Sequence, residues 1–385
     1  MRVLFTMPPD LAHMFPLIPL AWATRTCGHE VLIATSEQGA DITVKAGLPT
    51  AEVSPDVDFP AIFRRFAAVP FFQGRSPEHR ELSKQWAETG VTPDPLLQLF
   101  AAVSDAMVDG VTRVAEHWRP DLVVYSRLEG AGPLAARKLG VPAVEHDYGF
   151  IRNATDSERL LTHLSASYRR NNVPPELPRR TWIHVGPPSM MVDRGPGWAV
   201  RYVPYNAGGL LPDWLLQPRK RPRIGVTLGT VVPRTSGVGG LQRCMASATK
   251  VDAEFVLLLG ADPDTSALGE LPDNVRVTGW IPLNSLLAVS DALVHHGGAG
   301  TTLTAACAGV PQLVIPHGAD HFVNAHVAAR RGVGLVCEPT AVTPDVLDTL
   351  LNSDQIRAAA AEVRAEIERM PTPAQIVPKL LEFAS

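Results

Sequence analysis

Ala292-Leu-Val-His-His-Gly-Gly-Ala-Gly-Thr-Thr-Leu-Thr-Ala-Ala-Cys-Ala-Gly309 is the stretch from which the rest of the chain is read. Ala292 to Val294 is a short apolar strand, His295 to Gly300 a glycine-rich turn, and Thr301 to Ala308 a helix of small residues stopped by Gly309. A strand that runs through glycines into a helix start lets backbone N–H groups approach an anion, with the positive end of the helix dipole aimed at it. Taken alone, the same glycines are a tight turn and His295 or His296 a packed core histidine.

The neighbouring segments favour the anion cradle. Upstream, Val277-Thr-Gly-Trp-Ile-Pro-Leu283 ends a strand on a tryptophan and a proline, presenting a flat aromatic face. Downstream, Pro311-Gln-Leu-Val-Ile-Pro316 is another strand, opening onto His317-Gly-Ala-Asp-His321. Three successive strand ends are therefore expected side by side on one edge of a parallel sheet, where such sheets bind ligands. They would offer an aromatic platform, an anion cradle and an acid, the surfaces that a base, a diphosphate and a sugar require.

These residues resemble a known family. Gly279-Trp-Ile-Pro282, His296-Gly-Gly-Ala-Gly-Thr-Thr302 and the element around Asp320 are similar to the donor-binding motif of GT-B glycosyltransferases, in the bacterial branch that attaches deoxysugars to antibiotic aglycones. The resemblance covers nearly the whole chain and implies an α/β architecture of two Rossmann-like doubly wound domains facing across a cleft. It implies residues 1–205 as an acceptor-binding domain, 206–222 as linker, 223–369 as the donor-binding domain, and 370–385 as a helix returning to the first domain.

Composition agrees with two domains. The 385 residues, 45% of them apolar, suffice for two α/β domains. The apolar run Val3 to Met7 is broken by Pro8, Pro9 and Asp10, so neither signal peptide nor membrane span is read, and a cytoplasmic location is expected. A formal charge of −4 leaves no basic footprint for nucleic acid. The cluster Arg219, Lys220, Arg221 and Arg223 is interleaved with prolines and reads as solvated linker. Cys27, Cys244, Cys307 and Cys337 lack metal-ligand spacing and read as buried free thiols.

The chain opens as a βαβ unit: a strand Arg2 to Thr6, a helix from about Phe15 to Thr26 closed by Gly28, and a strand Glu30 to Thr35. The absence of G-x-G-x-x-G argues against a nicotinamide dehydrogenase. His13 lies in the loop after the first strand, and His13-Met-Phe-Pro16 matches the family's pattern, which implies a general base acting on an acceptor hydroxyl. The family sets a carboxylate after the strand that reads here Pro120 to Tyr125, but Ser126 stands there and the next acid is Glu129. Either orients the imidazole, or it has no partner. His146 and Asp147 end the following strand and are rival bases or structural groups.

Phe59, Phe63, Phe66, Phe71, Phe72 and Trp86 follow no lasting period. They pack the domain's flank or, as the resemblance implies, line a pocket for a large apolar acceptor, with His146 in the same candidate set. A long helix from Asp94 to His117 follows, and the proline-rich stretch from Pro174 to Pro222 reads as the interdomain connection. Gly229 and Thr230 end the second domain's first strand and suit phosphate contact or a plain turn. Asp262-Pro-Asp264 reads as a surface turn, and no metal and no cofactor are expected. Helices of about 354–369 and 374–383 end the chain, broken by Met370-Pro-Thr-Pro373.

The resemblance implies a dTDP-sugar donor and a hydrophobic aglycone acceptor, with inversion at the anomeric carbon. Trp280 would stack on the pyrimidine, His296 with Gly298, Gly300 and Thr301 would hold the diphosphate, and Asp320 would bind sugar hydroxyls. His321 stands where the family usually has glutamine. A phenolic acceptor would leave O- and C-glycosylation both open. Two other readings share these residues: a GT-B nucleotide-sugar epimerase, and a non-catalytic partner protein. Some relatives need an auxiliary protein, and a homodimer is compatible with the chain.

Overall fold

The computed structural model describes all residues except 73–75, 152, 193–194 and 261–264, so the Asp262-Pro-Asp264 turn lies outside the described residues. The chain divides into two compact units, Met1–Tyr205 with Met370–Ser385, and Asn206–Arg369.

The first unit is built on β1 (Arg2–Thr6), β2 (Glu30–Thr35), β3 (Thr50–Glu52), β4 (Leu122–Ser126), β5 (Ala143–His146), β6 (Arg180–His184) and β7 (Trp198–Ala199), all parallel, in the order β3-β2-β1-β4-β5-β6-β7. Val3, Leu4 and Phe5 of β1 and all of β4 are buried, as continuous apolar runs covered on both faces must be. The helix Asp94–Trp118 covers this sheet, ending at Arg119 in the left-handed region. Instead of one helix from Phe15, the chain makes a four-residue helix Leu11–Met14, capped by the Asp10 carboxylate, and a second over Ile18–Thr26. Pro19 explains the break, because its ring would clash with the carbonyl of residue 15 in a continuous helix.

Part of the stretch read as interdomain connection belongs to the first sheet. β6 and β7 lie within it, and their prolines punctuate short strands. Residues 206–222 fall in the second unit, where the helix Asp213–Leu216 buries Leu215 beside Val256, Ile281 and Leu286. Arg223 is also not a solvated linker residue. It is buried, paired with Glu254 at 2.9 Å and stacked on Trp214.

The second unit repeats the plan with β8 (Arg223–Thr227), β9 (Glu254–Leu258), β10 (Val275–Thr278), β11 (Ala292–His295), β12 (Gln312–Val314) and β13 (Gly334–Val336), in the parallel order β10-β9-β8-β11-β12-β13. Its core gathers Ile224, Val226, Phe255, Leu257, Val294, Leu313 and Ile315. The last helix, Pro373–Ala384, opens with a Thr372–Gln375 capping box and packs on Ile18–Thr26 of the first unit. The Phe383 carbonyl accepts from Arg179, and Pro371 from the Arg201 amide.

In both sheets the chain winds outward through three strands and then returns to the other side of the first. The direction reverses between β1 and β4 and between β8 and β11, and a crevice opens at the carboxyl ends of each pair. This corrects the expected adjacency of three strand ends. β10, which precedes Trp280, lies at the sheet edge with β9 and β8 between it and β11. Of the three, only the ends of β11 and β12 adjoin.

Among the described residues no helix is long and apolar enough to cross a membrane. None of the four cysteines forms a disulfide; Cys244 is buried, Cys307 and Cys337 are half-buried rather than buried, and Cys27 is exposed because it closes the helix Ile18–Thr26 at the surface.

Candidate functional site

Each unit places its chemistry at its own switch point. In the first, the loop after β1 carries His13 on the short Leu11–Met14 helix, and the end of β4 supplies Ser126. His13 Nδ1 and Ser126 Oγ are 2.8 Å apart and both side chains are buried. The ring lies between Phe100 (centroids 4.8 Å) and Tyr148 (4.2 Å), both tilted. The backbone of Arg127 also neighbours the imidazole.

The electrostatics around this pair keep the imidazole neutral. Burial, then the charge of Arg127, pushes His13 down to about 3. Arg127 is itself buried, its Nη2 donating to Asp156 Oδ2 at 2.6 Å and to Thr92 Oγ1 at 2.7 Å. Asp156 and its neighbours hold that guanidinium protonated, against the cost of burial.

Of the two candidate partners of His13, the structure joins it to Ser126 and sets Glu129 aside. The Glu129 carboxylate accepts from Thr6 Oγ1 at 2.7 Å and from the amides of Ala131 (2.6 Å) and Gly132 (3.0 Å). It therefore caps the helix Ala131–Leu139 and ties it to β1, a placement the helix dipole favours. Burial raises it to about 7 against those three donors. His146 is also occupied. Its Nδ1 donates to the Asp147 carbonyl at 2.7 Å, its own carbonyl accepts from the Arg127 amide, and burial lowers it to about 4.

The aromatic candidates separate by exposure. Phe59, Phe71 and Trp86 are buried in the flank, with Phe71 against Phe72 and His79, whereas Phe63, Phe66 and Phe72 are half-buried. The first three therefore fill the flank's interior rather than an open surface. Sequence reasoning missed Arg127, Phe100, Tyr148 and the Thr92–Asp156 support. Arg127 is the next residue after Ser126, so the turn itself was the available signal.

In the second unit, the turn after β8 meets the turn after β11. Gly229 adopts φ +68°, and a Cβ there would lie 2.6 Å from His296 Cε1. Gly297 (φ +96°) is closed in the same way by the His321 carbonyl and Val314. The His296 ring stands edge to face with His321, centroids 4.8 Å apart. Burial first, then the neighbouring histidines His321, His295 and His317, pushes its pKa down, so it is a neutral ring. The Thr227 backbone neighbours its ring, yet His296 Nδ1 makes no hydrogen bond of normal geometry.

His295, by contrast, is structural. The Gly297 amide donates to its Nδ1 (3.1 Å), so Nε2 carries the proton and donates to Gln312 Oε1 at 3.0 Å. Asn324, which sequence reasoning assigned no role, donates to the Gly297 carbonyl (2.8 Å) and to Asp320 Oδ2 (2.9 Å). Its i+4 spacing from Asp320 on one helix face was the available signal. His321 uses Nδ1 to accept from the Gly318 amide.

The helix Ala299–Ala308 begins at Gly298, which has no side chain to cap it. Helical geometry leaves the first-turn amides of Ala299, Gly300 and Thr301 without intrahelical acceptors, beside His296. Gly229, Thr230, Gly300 and Thr301 are half-buried, as are Asp320 and His321. Trp280 is 40% exposed, near Gly209. Among the described residues no group of three His, Cys, Asp or Glu side chains is placed to hold a metal ion.

Comparison with known proteins accounts for both halves. Residues 22–229 match the family model of the Erythromycin biosynthesis protein CIII-like N-terminal domain, and residues 242–383 its C-terminal domain. The Elloramycin glycosyltransferase ElmGT of Streptomyces olivaceus is 36% identical over 390 residues, covering 99% of this chain and 97% of that protein. The glycosyltransferase SnogD from Streptomyces nogalater superposes with a TM-score of 0.86 at 38% identity, over 100% of this chain and 99% of that one. The Streptomyces sp. SF2575 glycosyltransferase SsfS6, solved with thymidine diphosphate, gives 0.82 at 29% identity over 99% of both. The two Rossmann-like sheets, the matched family models and these relatives together make the chain a member of the Erythromycin biosynthesis protein CIII-like family of GT-B antibiotic deoxysugar glycosyltransferases, an enzyme of glycosyltransferase type.

Proposed function

We propose that the enzyme transfers a deoxysugar from a dTDP-sugar to a hydroxyl of a hydrophobic aglycone, with inversion at the anomeric carbon. The observation that carries this reading is the uncapped helix start at Gly298, whose first-turn amides lie beside the neutral His296. Amides of Gly300 and Thr301 with a His296 N–H would take the charge that develops on the departing diphosphate. Gly229 and Thr230 close the same crevice, Trp280 stacks on the pyrimidine, and Asp320 and His321 meet the sugar. A thymidine diphosphate complex is known for SsfS6, which supports the nucleotide assignment.

His13 would carry its proton on Nδ1, with Ser126 Oγ as acceptor, leaving the Nε2 lone pair to remove the acceptor's proton. The acceptor oxygen then bonds to the anomeric carbon as the carbon–phosphate oxygen bond breaks and its electron pair leaves with the diphosphate. Attack opposite the leaving group inverts the centre. Half-buried Phe63, Phe66 and Phe72 are the flank aromatics left to meet an acceptor.

The test is incubation with dTDP-L-rhamnose and a polycyclic phenol, followed by mass and NMR analysis of the product. A glycoside of anomeric configuration opposite to the donor's is expected. A glycoside of retained configuration contradicts the single displacement, and free sugar released without aglycone favours an epimerase.

A further inference from the structure

We infer, resting on the reading of His13 as the base, that the enzyme selects an acidic acceptor hydroxyl of the phenol or enol type over an aliphatic alcohol, because the imidazole is paired with the neutral Ser126 hydroxyl rather than with a carboxylate. A histidine paired with a carboxylate gains attraction as it becomes imidazolium, and so can take a proton from a poor acid. Ser126 offers only a hydroxyl dipole at 2.8 Å. The walls formed by Phe100 and Tyr148 keep solvent from the ring, which is 3% exposed.

The described charges around the pair supply the ring with no anionic partner: Glu129, in the same turn, is directed at Thr6 and the amides of Ala131 and Gly132. Arg127 repels an imidazolium, and Asp156, which could offset it, is directed at Arg127 and Thr92 Oγ1. Asp147 acts on Arg127 and pairs with His184 at 2.9 Å. Asp10, which caps His13's own helix, accepts from the Ala12 amide, and burial raises its pKa. Tyr148 meets the imidazole with its aromatic ring. The lowered proton affinity of His13 agrees with this surrounding. A phenol loses its proton near pH 10, whereas bulk water, standing for an alkanol, does so near 15.7. In the step itself the acceptor O–H bond breaks towards His13 Nε2, the oxygen bonds to the anomeric carbon, and the diphosphate leaves with the electron pair. A weak base completes that transfer only when the O–H is already acidic.

Initial rates with dTDP-L-rhamnose on 2-naphthol and on 2-naphthalenemethanol, acceptors of similar size and polarity, test this. Wild type is expected to favour the naphthol by at least ~100-fold. Ser126→Asp is expected to narrow that ratio and to move the acid limb of kcat/KM up by about one pH unit or more. Comparable wild-type rates on the two acceptors overturn the inference while leaving the proposed transfer intact. A folded Ser126→Asp enzyme with an unmoved acid limb overturns it too, and if that variant does not fold the wild-type ratio decides alone. Transfer to neither acceptor contradicts the hydrophobic-acceptor reading, and this inference falls with it.

Discussion

His13→Ala is expected to lower kcat by roughly 10²–10⁴-fold, the usual contribution of a positioned general base, while the affinity for dTDP stays unchanged. The reasoning is local. Among the described residues His13 is the one histidine at the β1/β4 crevice whose ring is oriented by a side-chain hydroxyl, whereas His146, at the end of β5, is tied to the carbonyl of the next residue, Asp147. His146→Asn is therefore expected to cost stability more than turnover. Steady-state kinetics, with nucleotide affinity measured in parallel, separates the two. If His146→Asn abolishes turnover while His13→Ala leaves it, the base has been misassigned.

Acid is expected to destabilise the protein as pH falls below about 6.5, through its buried histidines. Burial lowers His13 to about 3 and His146 and His295 to about 4, so each is neutral in the fold while the unfolded chain binds a proton below about 6.5. The unfolded state then holds more protons, stability rises with pH, and these contributions are lost as pH falls from about 6.5 towards 3. Glu129 acts in the opposite sense. Its folded value of about 7 exceeds the unfolded 4.5, so its contribution is full below 4.5 and disappears as pH rises through 7. At about 1.4 kcal/mol per pH unit per group, the histidines outweigh it, and a net loss on the order of 6 kcal/mol is expected between pH 7 and 4. That is comparable to the whole stability of a domain. Urea midpoints across this range check it, and a flat profile from pH 7 to 4 would contradict the buried, neutral placement of these rings.

Much of this was legible in the sequence, for identifiable reasons. A helix of small residues behind glycines has few alternatives, and the structure has it over Ala299–Ala308, closed by Gly309 at φ +68°. Capping residues and prolines likewise marked the helix Asp94–Trp118 and the pair ending at Arg369 and Ala384. What failed was spatial. Chain order suggested that Trp280 sits beside the anion cradle, but a doubly wound sheet reverses at its first strand and leaves β10 at the edge. The switch points themselves, where His13 meets Ser126 and Gly229 meets His296, follow from strand order, which residue patterns alone do not encode. The partner of His13 was undecidable for a similar reason. Ser126 and Glu129 share one turn, and only its backbone path, with Leu128 at φ +66°, aims the carboxylate back at the amides of the next helix. Arg223 was misread because a proline-interleaved basic run looks solvated until Glu254 and Trp214 are known to flank it.

The central claim, a thymidine diphosphate-sugar donor held by the second unit, is tested most directly by calorimetric titration of dTDP and UDP. The titrations would be made into wild type and into a Trp280→Ala, His296→Ala double variant. The account predicts that dTDP binds wild type more tightly than UDP does, and that the double variant, still folded, loses the binding. Binding of neither nucleotide to wild type, or equal binding of dTDP to the double variant, would contradict it.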